Sequence, residues 1–113
     1  MKTINLDNGA ECRIDADGDK WWYLNGKYHR TDGPAVERAN GDKHWYLNDI
    51  LHRADGPAIE WADGDKDWFL NGKRHRTDGP AIELADGRKY WYINYIQYSE
   101  EEFEMAKLVL WAV

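Results

Sequence analysis

The chain predicts an all-β repeat array: an elongated antiparallel sheet of stacked 23-residue hairpin repeats, closed by one C-terminal capping helix. Three observations carry this. The sequence repeats with an unbroken period of 23 residues. Each unit holds two sets of hairpin-turn residues. From Ser99 the chain loses the repeat and takes on helical spacing.

Three units stand in register, Trp22 to His44, Trp45 to Asp67 and Trp68 to Tyr90, and a fourth opens at Trp91 and breaks off. They share the pattern W-x-L-N-x-x-x-H-R-x-D-G-P-A-x-E-x-A-x-G-x-K-x. The array is expected over residues 1–98 and the helix over 99–113. At 113 residues this is one small domain. Seven Trp and seven Tyr supply most of its core.

The first turn set is Asp17-Gly18, Asn40-Gly41, Asp63-Gly64 and Asp86-Gly87, expected as two-residue hairpin loops. Two-residue loops would place Trp61 opposite Lys66 and Ile59 opposite Trp68. That puts Trp68, Ile59 and Leu70 on one face, the expected core, and Ala58, Glu60, Asp67 and Phe69 on the other. Trp45 and Trp68 are accordingly expected to be buried. The second set, Asn25-Gly26, Asn48-Asp49 and Asn71-Gly72, turns each Trp strand back, placing His75 opposite Trp68 and Arg74 opposite Phe69. Asp-Gly-Pro then ends the pairing, because proline has no N–H to donate.

In the tail, Ser99 with Glu102 forms a capping box, and acidic residues fill the first turn where the helix dipole favours them. Phe103, Ala106, Leu110 and Val113 share one face, widened by Met105, Val109 and Ala112. The helix is expected to cover an end or a face of the array.

These residues also carry a family resemblance. The stretch Gly79 to Gly87, followed by a strand and then Asn-Gly-Lys-x-His, resembles the MORN (membrane occupation and recognition nexus) repeat. The W-Y-x-N-G-K-x-H-R-x-D-G-P-A variant of small bacterial and bacteriophage proteins is closer still. The likeness covers roughly residues 12–98. Alanine stands at the family's first strand glycine (Ala35, Ala58, Ala81), arginine at the glycine after His (Arg30, Arg53, Arg76), and Asp49 at a turn glycine. The resemblance implies a scaffold or adaptor that makes protein contacts, dimerises or binds phospholipid.

Composition narrows the function. With 15 basic and 21 acidic residues, net −6, the chain lacks the basic face that duplex nucleic acid requires. One cysteine, Cys12, allows no internal disulfide and is read as an inert thiol. The N-terminus has no signal-peptide core and no apolar run is long enough to span a membrane, so a cytoplasmic protein is expected. His29, His52 and His75 form a column, but equivalent residues one hairpin apart lie roughly 9–10 Å from each other. No two can share one zinc ion. They are read as structural, bonded to the Asp-Gly-Pro turns, with His44 solvated. Glu37, Glu60 and Glu83 recur on every unit, which is not the paired-carboxylate cleft of a glycosidase. No metal, cofactor or catalytic constellation is expected.

What remains is an aromatic ladder, Tyr23, Tyr46, Phe69 and Tyr92, with Tyr28, Leu51 and Arg74 beside it. Together with Arg30, Arg53, Arg76 and the Glu column it forms the candidate binding face. The favoured expectation is a non-enzymatic protein-binding module, in its narrower form a phage-encoded inhibitor of a host defence protein. The alternatives are a protein that sequesters a nucleotide signal, stacking the base on the ladder and holding phosphate with Arg30, Arg53 or Arg76, and a scaffold or peripheral membrane adaptor. A homodimer is compatible with any of these.

Overall fold

Turn chemistry sets the architecture. In the computed structural model, which describes residues 1–111, Asn71 and Gly72 take φ of 50° and 79°. Two consecutive left-handed residues make the tight turn whose twist suits flanking strands. Asn25-Gly26 and Asn48-Asp49 do the same, as does Asn94-Tyr95 in the broken fourth unit. The Asp-Gly turns behave differently. Gly64 donates to the Trp61 carbonyl at 3.0 Å, Trp61 donates to Asp65 at 2.9 Å, and Gly64 alone is left-handed, at φ 101°. Ala62, Asp63 and Gly64 thus form a three-residue loop, not the expected two-residue one.

The strands follow in order: β1 (Lys2–Asn5), β2 (Ala10–Ile14), β3 (Lys20–Leu24), β4 (Lys27–Tyr28), β5 (Val36–Glu37), β6 (Lys43–His44), β7 (Tyr46–Leu47) and β8 (Ile50–Leu51). They continue with β9 (Ile59–Glu60), β10 (Lys66–Asp67), β11 (Phe69–Leu70), β12 (Lys73–Arg74), β13 (Ile82–Glu83), β14 (Lys89–Ile93) and β15 (Ile96–Tyr98). One sheet runs β1-β2-β3-β5-β6-β9-β10-β13-β14-β15, all antiparallel, with β4 paired to β3. The strands are interrupted at Trp45 and Trp68, so β7–β8 and β11–β12 form small two-stranded ribbons just beyond β6 and β10.

The molecule measures 50 × 31 × 17 Å, and its radius of gyration is 16.2 Å. A compact chain of this length would have about 13 Å. This is the elongated repeat array that the period predicts, one sheet thick.

The three-residue loop moves the register by one residue. Lys66 pairs with Glu60 and Asp67 with Ile59. A one-residue slip exchanges the faces of every side chain on a strand, so the expected face assignment is corrected. Ala58 and Glu60 lie with Lys66 and Trp68, whereas Ile59 lies with Asp67 and Phe69. The core is correspondingly different. Ile59, Phe69, Val36 and the three repeated alanines Ala35, Ala58 and Ala81 are buried, while Trp45 and Trp68 are only half-buried. Hydrophobic packing centres on Ala58, Ile59 and Phe69, flanked by Trp45 and Leu51.

Four backbone and side-chain links join each unit to the next. Arg53 N–H donates to the Phe69 carbonyl at 3.1 Å, and Gly72 N–H to the Leu51 carbonyl at 2.8 Å. Asp42 Oδ1 accepts from Ala62 N–H at 2.7 Å. His52 Nδ1 accepts from Asn71 N–H at 3.0 Å. Each has equivalents in neighbouring units, among them His29 with Asn48 and His75 with Asn94. The His column is therefore structural, but it binds the next unit's Asn turn and not the Asp-Gly-Pro turn. His44 is not solvated: it is half-buried between Tyr46 and the edge of Trp61.

The helix α1 spans Glu100–Ala106 and begins at the capping box, with Glu102 N–H donating to Ser99 Oγ and Ser99 N–H to Glu102 Oε1. It packs on β14 and β15 with Phe103 buried. From Lys107 to Trp111 the helix widens to π geometry. Met105 and Val109 are exposed, and the expected positions Ala112 and Val113 lie outside the described residues.

Candidate binding faces

A single-layered sheet presents two faces, and alternation along β3 separates them. Trp22 and Tyr23 are neighbours on one strand, so their rings point to opposite sides. The candidate residues divide accordingly. Arg30, Arg53, Arg76, Glu37, Glu60 and Glu83 belong to the Trp face. Tyr23, Tyr28, Tyr46, Phe69, Arg74 and Tyr92 belong to the other. Apart from one groove at the N-terminal end, which both Tyr23 and Arg30 line, the structure keeps the two sets apart.

On the Trp face each unit builds the same clamp. The Arg53 guanidinium lies over Trp45, its central carbon 3.9 Å from the ring centre. Its Nε donates to Asp55 at 2.9 Å, and Nη1 donates to the Pro57 carbonyl at 3.0 Å and to Glu60 at 3.3 Å. Gly56 forms the other wall: a Cβ there would stand 2.9 Å from the guanidinium carbon. Arg30 and Arg76 repeat this against Trp22 and Trp68 at 4.0 Å. The hydrogen bond from Arg30 holds the Asp32 carboxyl below its ordinary range, and that from Arg76 does so for Asp78. Each guanidinium thus faces two carboxylates and one ring, an arrangement that fixes the loop and does not suit a phosphate.

Along the same face Lys20, Glu37, Lys43, Glu60, Lys66 and Glu83 pair across successive strands, alternating in sign, and Lys89 follows. Cys12 occupies the unit position of Ala35, and burial pushes its thiol up. The clamps leave grooves between units. One of about 500 Å³ holds Trp68, Leu70, His75 and Pro57 between Arg53 and Arg76. One of about 720 Å³ holds the equivalents Trp45, Leu47, His52 and Pro34. A third, of about 370 Å³, holds Trp22, Leu24 and His29, with Leu6 and Asn8 where a proline turn would otherwise stand. Past the last unit, Ser99 takes the position held by Arg30, Arg53 and Arg76, and the helix follows, with Lys107 contributing to the lowered Asp78 carboxyl.

The opposite face carries the aromatic ladder. Tyr23 and Tyr28 stack at 5.0 Å between ring centres, and Tyr28 meets Tyr46 at 5.3 Å. Arg13 lies 4.4 Å over Tyr23. Arg74 stands between Phe69 and Tyr92, at 5.3 and 5.6 Å, and donates to buried Asp67 at 3.2 Å. Burial raises the Tyr23 and Tyr46 phenols. Phe69 is buried, whereas Tyr23, Tyr28, Tyr46, Leu51, Arg74 and Tyr92 are half-buried. Tyr23, Tyr28 and Tyr46 pack on one another, with Arg13 over Tyr23 and His44 beside Tyr46.

The clamp was missed in the sequence, although its signal was there: the invariant Arg, Trp and Gly sit in every unit, and only the loop geometry shows that they meet. Among the described residues, no group of three or more His, Cys, Asp or Glu could hold a metal ion, and no helix is long and apolar enough to cross a membrane. No family model, curated protein or solved structure matches the chain.

Proposed function

We propose that this chain is a non-enzymatic protein-binding module that docks a partner on its aromatic face. One observation carries the reading. Positions on the Trp face are nearly identical from unit to unit, because the clamp needs the same residues each time. On the other face the ladder and the Val36, Ile59 and Ile82 position keep their character, but the positions around them change. Trp21, His44, Asp67 and Tyr90 occupy one equivalent position, and Tyr28, Leu51, Arg74 and Gln97 another. A fold that required these side chains would repeat them. A surface fitted to one partner would not, and half-buried Tyr with Arg is the chemistry that dominates protein interfaces.

The MORN resemblance supports the same adaptor role. The narrower form, a phage-encoded inhibitor of a host defence protein, rests on that resemblance alone. The nucleotide alternative loses its motive, since the ladder and Arg30, Arg53 and Arg76 lie on opposite faces.

The test is affinity capture from cell lysate with three baits: the native chain, Tyr46→Glu, and Lys43→Ala on the Trp face. Capture of a partner by the native chain and Lys43→Ala, but not by a folded Tyr46→Glu, is the expected result. A folded Tyr46→Glu that retains the partner would remove the aromatic face. Tyr28→Ala serves as the second probe should Tyr46→Glu melt early.

A further inference from the structure

The Trp face, whose residues repeat, is the place for a ligand that repeats as well. We propose that its row of grooves binds an extended polyproline II segment, one apolar residue entering each groove at every third position. This goes beyond the docking surface above and uses the opposite side of the sheet.

The spacing of the grooves matches this ligand. Each unit adds two strands to the sheet, and strands lie about 4.8 Å apart, so neighbouring grooves are about 9.6 Å apart. Nine such gaps account for about 43 Å of the molecule's 50 Å long axis. A polyproline II helix advances about 3.1 Å per residue with three residues per turn, or about 9.3 Å per turn. Every third side chain then points the same way at almost the groove spacing. A β-strand covers a similar distance in three residues, but its side chains alternate, so every second anchor would point away. An α-helix needs about 6.4 residues for the same distance, which is not a whole number of turns.

The chemistry of the groove walls matches it as well. Each groove offers a half-buried Trp, a Leu and a Pro as walls, with Leu6 and Asn8 substituting at the first. Aromatic-lined grooves are what polyproline segments dock into. Each groove is also lined by one imidazole. His29, His52 and His75 accept a backbone N–H on Nδ1, so the neutral ring carries its proton on Nε2. No acceptor among the described residues is paired with that Nε2. A polyproline II backbone has no internal hydrogen bonds, so its carbonyls are free to accept from such donors. The array thus offers one donor and one Trp-walled slot, rimmed by Arg and Asp, per turn of the ligand.

The experiment uses fluorescence anisotropy with labelled all-proline peptides of three, six and nine residues, and a nine-residue Gly-Ser control, against the full chain. Affinity should rise at least tenfold from three to nine prolines, with the control failing to bind. Ala54 is exposed and lines both larger grooves, and Thr77 is exposed in the last. Ala54→Trp should weaken the nine-residue peptide at least tenfold with unchanged melting temperature, and Thr77→Trp is the second blocker should the first fold poorly. Absence of binding at millimolar peptide, equal binding of the Gly-Ser control, or unchanged affinity in both folded groove variants would overturn the proposal.

Discussion

Arg53 shows how one residue organises a whole unit. Its guanidinium is sandwiched between the Trp45 ring and the Cα of Gly56, and bonded to Asp55, Glu60 and the Pro57 carbonyl. Gly56 is thus required for space and not for an unusual φ. A methyl at Gly56 would displace the guanidinium from contacts that hold it on the other three sides. Gly56→Ala should cost ~1–3 kcal/mol in urea denaturation, the range for overpacking. If an Arg53→Ala background shows the same cost for Gly56→Ala, the sandwich is not its cause. A second residue-scale effect belongs to His44. Burial between Tyr46 and Trp61 lowers its pKa, opposed by Asp42 and assisted by Arg38. Burial lowers His75 as well. The unfolded chain therefore binds more protons, so this contribution to stability is present above the unfolded value of about 6.5 and is lost as pH falls through the folded values. The native melting temperature should fall from pH 8 to pH 5.5. The fall should be smaller in His44→Phe, and an identical fall would discharge His44 from the effect.

At the scale of elements, turns were the most legible feature and register the least. Asn71-Gly72 was readable because two left-handed residues in a row have one good hairpin solution, and the expected pairing of Phe69 with Arg74 is the observed one. Asp63-Gly64 was misread by one residue. Only Gly64 is left-handed there, so Ala62 joins the loop and the strand faces exchange. That single residue moved Ile59 away from Trp68 and turned an expected Trp core into a face of Arg clamps. The aromatic ladder survived the error, since Tyr23, Tyr46, Phe69 and Tyr92 are placed by the correctly read turn. The ends were less readable: β1 pairs β2 without any repeat signal, and the fourth turn holds Tyr95 at φ 78° where other units use Gly or Asp. Asp49 compensates by accepting Tyr28 N–H at 2.7 Å. Tyr95 is 61% exposed, so its side chain buries little in return. Tyr95→Gly should stabilise the chain by ~1 kcal/mol, the left-handed penalty for an L-residue. A lower melting temperature would mean that the Tyr95 ring packs usefully against the end of the array.

For the whole molecule, the repeating face and the varying face divide the work. Strand pairing, clamps, His links and Asp links recur at each unit interface, so stability is close to a sum over neighbouring units. Partner recognition, in the reading proposed above, rests on the aromatic face, where the recurring ladder is set among residues that do not recur. Deletion of residues 45–67 separates the two. It joins His44 to Trp68 in repeat register, keeps every type of interunit link, and removes Tyr46, Leu51 and Trp61 from the aromatic face. Thermal unfolding of the shortened chain, followed by capture of the partner identified with the native bait, makes the measurement. A cooperative transition at a lower temperature together with loss of the partner is the expected result. A shortened chain that does not fold would contradict the equivalence of the units, and one that folds and still captures the partner would contradict the assignment of binding to the non-repeating face.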